Sequence, residues 1–166
     1  MTERQKYEVI QINDGIEIRR YLPYVAADVV INEDYDKASS LGFRPLANYI
    51  FSNNISMTAP VIVEEKSPES WQVSFVMPHG SKLSDMPAPA NNVKLRGENE
   101  EICAAIKFNG TTNKNRIKKY EEKLLSYLKD KNIQRSGQLR IARFDPPWKP
   151  GIIRHNELIQ PIIWNQ

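Results

Sequence analysis

The sequence predicts an α+β fold: a pseudo-twofold duplicated ββαββ unit whose strands form a curved, mostly antiparallel eight-strand sheet or distorted barrel with two main helices. Three observations carry this. The order hairpin, helix, two strands runs from Tyr7 to Met77 and again from Val93 to Ile163, although residue identities do not repeat visibly. Each helical segment has one apolar face, which a sheet must cover. The chain has 166 residues, 40% hydrophobic and 26% charged, enough to bury a continuous core without metal or disulfide staples. A single domain over residues 1–166 is expected.

Residues Tyr7 to Asn13 alternate and meet Asn13-Asp14-Gly15, a tight-turn signal in which glycine supplies positive φ, so a hairpin opens the chain. Its second strand runs from Ile16 to about Ile31, with Pro23 requiring an edge, bend or bulge. Asn32 and Asp34 are candidate N-caps for a helix beginning near Tyr35. Pro45 cannot donate to the carbonyl four residues back, so a kink or break is expected near Gly42, with Pro45 opening a second helical piece through about Phe51. After the polar turn Ser52-Asn53-Asn54 come strands Pro60–Glu65 and Trp71–Met77.

Ser81 to Asn92, with Pro87 and Pro89, reads as an irregular surface loop linking the halves. Val93–Arg96 and Ile102–Phe108 read as a hairpin around Gly97–Glu100. Thr112 or Asn113 caps the clearest helix, whose apolar face is Ile117, Tyr120, Leu124, Tyr127 and Leu128, through about Lys131. Leu139, Ile141 and Phe144 alternate in a strand, and Asn156–Ile163 is the last. Trp148, between prolines, is expected to pin the crossover between them to the core.

Composition excludes several classes. No apolar run approaches the roughly 20 residues needed to span a bilayer, and the N-terminus lacks a secretion signal, so no membrane span and a cytoplasmic location are expected. The lone Cys103 sits in an apolar run and reads as a small buried hydrophobe. A net charge of +3 with dispersed cations argues against nucleic acid, and the Lys114–Lys119 concentration reads as a solvated helix surface. The sequence carries no Gly-x-Ser-x-Gly elbow, no His-Glu-x-x-His, no phosphate-cradling loop and no dinucleotide fingerprint, which favours a non-enzymatic binding protein.

The segment Phe43–Val63, an apolar helix that stops at an Asn-rich turn and feeds a strand, should leave a groove between helix and sheet. Several pieces of the chain in this order resemble the SOUL heme-binding protein family: Tyr7–Ile10 with Ile16–Tyr21, Phe43–Ile50, Ile55–Val61 including Met57-Thr58-Ala59-Pro60, Val73–Pro78, Pro87–Pro89, Phe144–Pro150, and Arg154–Leu158. The resemblance implies a curved sheet flanked by two helices, related to small-molecule-binding regulatory domains. It also implies non-covalent binding of heme or another tetrapyrrole in the groove beside the first helix, without an assigned reaction.

Carried over, the candidate site residues are Leu46, Tyr49 and Ile50 on the helix, Ile55 and Met57 after it, and Arg44 placed to meet a propionate. Heme needs an apolar slot, a cation at its rim and optionally an axial ligand. His79 ends a strand and His155 is expected to hydrogen-bond structurally, so the groove is expected to be an apolar slot with a cationic rim, without histidine ligation. Asn156 and Glu157 read as ties to neighbouring backbone. The alternative reading is a regulatory or interaction module for another planar apolar ligand or a protein partner.

Overall fold

The structure is a computed structural model and describes residues 2–90, 92–145 and 149–165. Trp148 lies outside them. In chain order the elements are β1 (Glu3–Arg4), β2 (Tyr7–Asn13), β3 (Ile16–Tyr21), β4 (Tyr24–Ile31), α1 (Tyr35–Ser52), β5 (Thr58–Ala59), β6 (Val61–Ser67), β7 (Ser70–Val76), β8 (Lys94–Glu98), β9 (Glu101–Asn109), α2 (Lys114–Asp130), β10 (Arg140–Arg143) and β11 (His155–Pro161). The chain divides into two compact units. One comprises residues 1–6 and 22–100 and holds α1; the other comprises 7–21 and 101–166 and holds α2.

In the α1 unit the strands run β6-β7-β4-β8, all antiparallel, with β1 and β5 forming a short parallel pair. In the α2 unit the order is β2-β3-β9-β11-β10, again antiparallel. The class is α+β. Nine strands rather than eight make up these two arrays, because the expected Ile16–Ile31 strand is two. Pro23 offers no N–H to a ladder, and the chain leaves the α2 unit after Tyr21 and enters the α1 unit at Leu22.

The opening hairpin forms as its turn chemistry demands: Asp14 and Gly15 both have positive φ, 54° and 76°. A bulge between Val9 and Gln11 breaks the expected alternation of β2. The second expected hairpin does not form. β8 pairs with β4, whereas β9 pairs with β3 and β11. Gly97 lies inside β8, so the link Asn99-Glu100 lacks the positive-φ residue a two-residue hairpin needs. Ser81–Asn92 likewise does not join halves; it connects β7 to β8 within the α1 unit.

Helix α1 is a single helix with Pro45 inside it, capped by Asp34, whose carboxylate accepts the Lys37 N–H at 3.0 Å. The expected break is absent because burial outweighs the lost bond. Ala38, Gly42, Leu46, Tyr49 and Ile50 are all buried against the sheet, a larger gain than the ~3 kcal/mol a mid-helix proline costs. Gly42 is a packing residue, not a breaker. A Cβ there would lie 2.6 Å from Val73 Cγ2, so only glycine lets the helix rest this close to β7.

Helix α2 is capped by Asn113 and buries Leu124, Tyr127 and Leu128, with Tyr120 stacked on Phe108 at 4.6 Å. Phe108 facing the helix puts the odd-numbered β9 residues on the other side of the sheet. There Cys103 is fully buried, which pushes its thiol up to about 12. Its cross-strand partner Arg19 is also fully buried. Arg19 donates from Nη1 and Nη2 to Glu157 at 2.5 and 3.1 Å, from Nη1 to the Tyr21 hydroxyl at 2.8 Å, and from Nε to Glu17 at 2.8 Å. Glu157 is therefore the partner of a buried guanidinium rather than a backbone tie. Asn156 does tie backbone, donating to the Gly110 carbonyl at 2.7 Å.

Burial works to raise the Glu157 carboxyl, but hydrogen bonds and charge from His155 and Arg19 outweigh it and hold it below the usual range. Such a group stabilises the fold above its unfolded value and loses that contribution as pH falls through its folded value. Unfolding free energy should therefore decline as pH drops below about 4.5, measured by urea titration at stepped pH. Glu157→Gln, which removes the bidentate anion of Arg19 and leaves it only the partly exposed Glu17, is expected to cost about 3–5 kcal/mol, while Arg19→Met with Glu157→Leu recovers most of it and flattens the acid slope. In the other unit, Gly42→Ala is expected to cost about 1–3 kcal/mol by the same measurement. Adding Val73→Ala should restore only part, since Val73 Cβ itself would be 2.9 Å from the new atom.

Candidate ligand-binding site beside the first helix

The end of α1 is closed by residues 49–55. Asn54 adopts positive φ, its N–H bonds the Phe51 carbonyl at 3.3 Å, and the Ile55 N–H bonds the Ile50 carbonyl at 2.8 Å. This is a Schellman closure with asparagine in the position glycine usually takes. It folds Ile55 back onto the core beside Ile50. The Asn53 side chain adds a bond to the Tyr49 carbonyl at 2.8 Å. The polar turn thus fixes where the chain leaves the helix.

Above the helix lies the segment after β7. It contains a short 3-10 turn, Leu83–Asp85, and is held down by Met86, which packs on the α1 core, and by Val93, which is buried in it. Pro87 accepts a 2.7 Å hydrogen bond from the Tyr49 hydroxyl, and burial raises that phenol above its ordinary value. Between this strap and the helix is a cleft of about 220 Å³ lined by Pro45, Asn48, Tyr49, Ser52, Asn53, Ala88 and Ala90. The spacing 45, 48, 49, 52 is one helical face. A second hollow in the unit, near Pro23 and Pro78, has about 10 Å³, room for one water at most.

The six sequence-derived residues are brought together around this helix but do not share one surface. Leu46 and Ile50 are 0% and 1% exposed and belong to the core together with Val63, Val73 and Phe75. Ile55 and Met57 pack on that core half-buried. Arg44 is exposed, one turn before Asn48. Tyr49 alone both lies in the core and lines the cleft. Asn48, Ser52, Ala88 and Ala90 were missed: the helix positions are polar and looked solvent-facing, and the two alanines come from a loop docked by Met86, Val93 and the Tyr49–Pro87 bond, contacts that local sequence does not reveal. His79 and His155 are outside the cleft lining; His155 sits on β11, 3.4 Å from Glu157.

Chemically the cleft offers mixed surface: apolar from Pro45, Tyr49, Ala88 and Ala90, and polar from the Asn48 and Asn53 amides and the Ser52 hydroxyl. At about 220 Å³ it falls below the roughly 300–1,000 Å³ of sites that enclose small organic ligands. Among the described residues no cluster of three or more metal-ligating side chains occurs, and no helix is long and apolar enough to cross a membrane.

A model of the SOUL heme-binding protein family matches residues 2–161. The chain belongs to this family. No curated protein sequence matches it. Among solved structures, the EcmrR C-terminal domain superposes with a TM-score of 0.71 at 10% identity, covering 96% of this chain and 99% of that one. A hydrolase from Listeria innocua gives 0.62 at 11% identity over 93% and 94% of the two chains. SAV2435, solved bound to tetraphenylphosphonium, gives 0.55 at 5% identity over 95% and 94%. At these identities the likenesses are of fold.

Tyr49→Phe removes the latch on the strap while keeping the ring in the core. Its expected effect is a loss of about 0.5–1.5 kcal/mol in global stability and faster limited proteolysis between Ser81 and Asn92, read by mass spectrometry of the fragments.

Proposed function

We propose that this SOUL-family protein binds or carries heme or a related tetrapyrrole, non-covalently, beside α1. The observation that carries the reading is the family match over residues 2–161, combined with a cleft at the helix the family resemblance points to. The residues fit a tetrapyrrole in kind. Tyr49, Pro45, Ala88 and Ala90 line the cleft with apolar surface, and Arg44 stands one turn away as a cation for a propionate. The volume is short, so a planar ligand of that size enters with the Ser81–Asn92 strap displaced. With no histidine in the lining, this reading has the ligand held by apolar contact and charge rather than by an axial bond.

Titration of the purified protein with hemin should give a saturable change in the Soret band. Asn48→Trp, which fills an exposed position of the cleft, should weaken it about tenfold or more, and Arg44→Glu several-fold, while His79→Ala and His155→Ala leave it unaltered. Absence of saturation in the folded protein would sink the proposal. Equal loss in either histidine variant would overturn the assignment of the cleft. Charged replacements at Leu46 or Ile50 are unsuitable tests, since both are core residues.

A second reading is favoured by the small, histidine-free lining of the cleft and by a structural neighbour solved with a lipophilic aromatic cation. On it, the protein is a regulatory module for another planar apolar molecule. A thermal-shift screen of metallated porphyrins, metal-free porphyrins and unrelated aromatics separates the two: stabilisation by non-porphyrin aromatics alone supports the second.

A further inference from the structure

Two features of the α2 unit have no part in the cleft. The first is an apolar tip. Gly151–Ile153 forms a 3-10 turn in which Ile152 is 82% and Ile153 55% exposed. Its base is clamped: a Cβ on Gly151 would lie 2.7 Å from Thr111 Cγ2, the Gly110 N–H bonds the Arg154 carbonyl at 2.9 Å, and Arg154 Nε bonds the Lys149 carbonyl at 2.8 Å. Two adjacent isoleucines are thus held out on a braced turn, and the contact with Thr111 sets that turn beside the entrance to α2.

The second feature is charge. The chain's +3 is unevenly divided. The α2 unit has 15 Lys and Arg against 9 Asp and Glu, a net +6, whereas the α1 unit has 8 against 11, a net −3. The first two turns of α2 contribute exposed Lys114, Lys118 and Lys119, with no acidic residue until Glu121 and Glu122. Lys149, beside the tip, is paired with Asp145 at 2.9 Å.

We propose that the α2 unit docks peripherally on an anionic lipid surface, with Ile152 and Ile153 entering the interface and the Lys114–Lys119 turns meeting the headgroups. Charge alone would suit any polyanion. A solvent-exposed isoleucine pair on a clamped turn in the same basic unit suits a lipid surface, where shallow apolar insertion and headgroup attraction add together. The inference is independent of ligand binding beside α1.

The test is vesicle flotation of the full chain with phosphatidylcholine vesicles and with phosphatidylcholine–phosphatidylserine vesicles, at low and high salt. The intact protein should float with the anionic vesicles at low salt, less at high salt and little with neutral ones. Ile152→Ser with Ile153→Ser should weaken partitioning about tenfold, as should Lys114→Glu with Lys118→Glu and Lys119→Glu. All these positions are exposed, and unchanged circular dichroism and thermal unfolding check that the variants are folded. No flotation with anionic vesicles, equal flotation with neutral ones, or undiminished flotation of either variant overturns the proposal. Capture of a DNA duplex without any vesicle binding also overturns it and assigns the basic face to nucleic acid.

Discussion

The approach of Gly42 to Val73 sets the geometry of the α1 unit. Because no side chain intervenes, the helix sits low enough on β7 for Leu46 and Ile50 to be lost entirely from solvent. That rotation fixes the rest of the helix. Positions 46 and 50 point into the core, so 45, 48 and 52 turn toward the strap, and Tyr49, between the two arcs, reaches both the core and Pro87. Pro45 is tolerated on the same grounds: the anchoring on either side of it holds the helix together where its own hydrogen bonding is weakened.

The two units solve the same structural problem with similar parts. Each has strand, helix and two strands, β4-α1-β6-β7 and β9-α2-β10-β11, with β8 or β3 added beside the first strand. The added strands open on Lys94-Leu95-Arg96, preceded by Val93, and on Ile16-Glu17-Ile18-Arg19, and each arginine meets a carboxylate across the sheet: Arg96 with Asp28 at 2.8 Å, Arg19 with Glu157. Both helices close the same way. Asn132 repeats the positive φ of Asn54, and Ile133 bonds back to Leu128 as Ile55 does to Ile50. The units differ in the irregular segment set against each helix. The α1 unit has a strap over its helix, and the α2 unit has the braced isoleucine turn at the head of its helix.

How much could be read from the sequence depends on how local the governing interaction is. The Asp14-Gly15 turn, the Asp34 and Asn113 caps and the apolar face of α2 depend on neighbours a few residues apart, and all were legible. The β8–β9 pairing was misread because Val93–Phe108 has hairpin-like spacing, while β8 and β9 pair with β4 and β3, about 65 to 90 residues earlier. Arg19 gave no sign of burial, since an arginine in an alternating strand looks solvated until Glu157, 138 residues away, is placed beside it. Of the candidate site, the helix was found and the exposed lining was not. The apolar pattern that marks a helix face for a ligand is the same pattern that marks it for a core, and here the core took Leu46 and Ile50.

That division has an energetic consequence for the proposed ligand. With Val93 staying buried as the anchor where the strap ends, the strap itself is held by one neutral hydrogen bond, worth about 1 kcal/mol net, and by partial burial of Met86, worth of the order of 1–2 kcal/mol. Lifting it therefore costs roughly 2–3 kcal/mol, so the open form is a minor population. A ligand that binds only the open form has its apparent affinity lowered by that population, roughly 30- to 160-fold. On this reading the Tyr49 hydroxyl sets affinity through the strap. Its loss destabilises the closed protein and favours the ligand-bound one, so stability and affinity move in opposite directions at this residue, whereas at Arg44 or Asn48 affinity changes with little effect on stability.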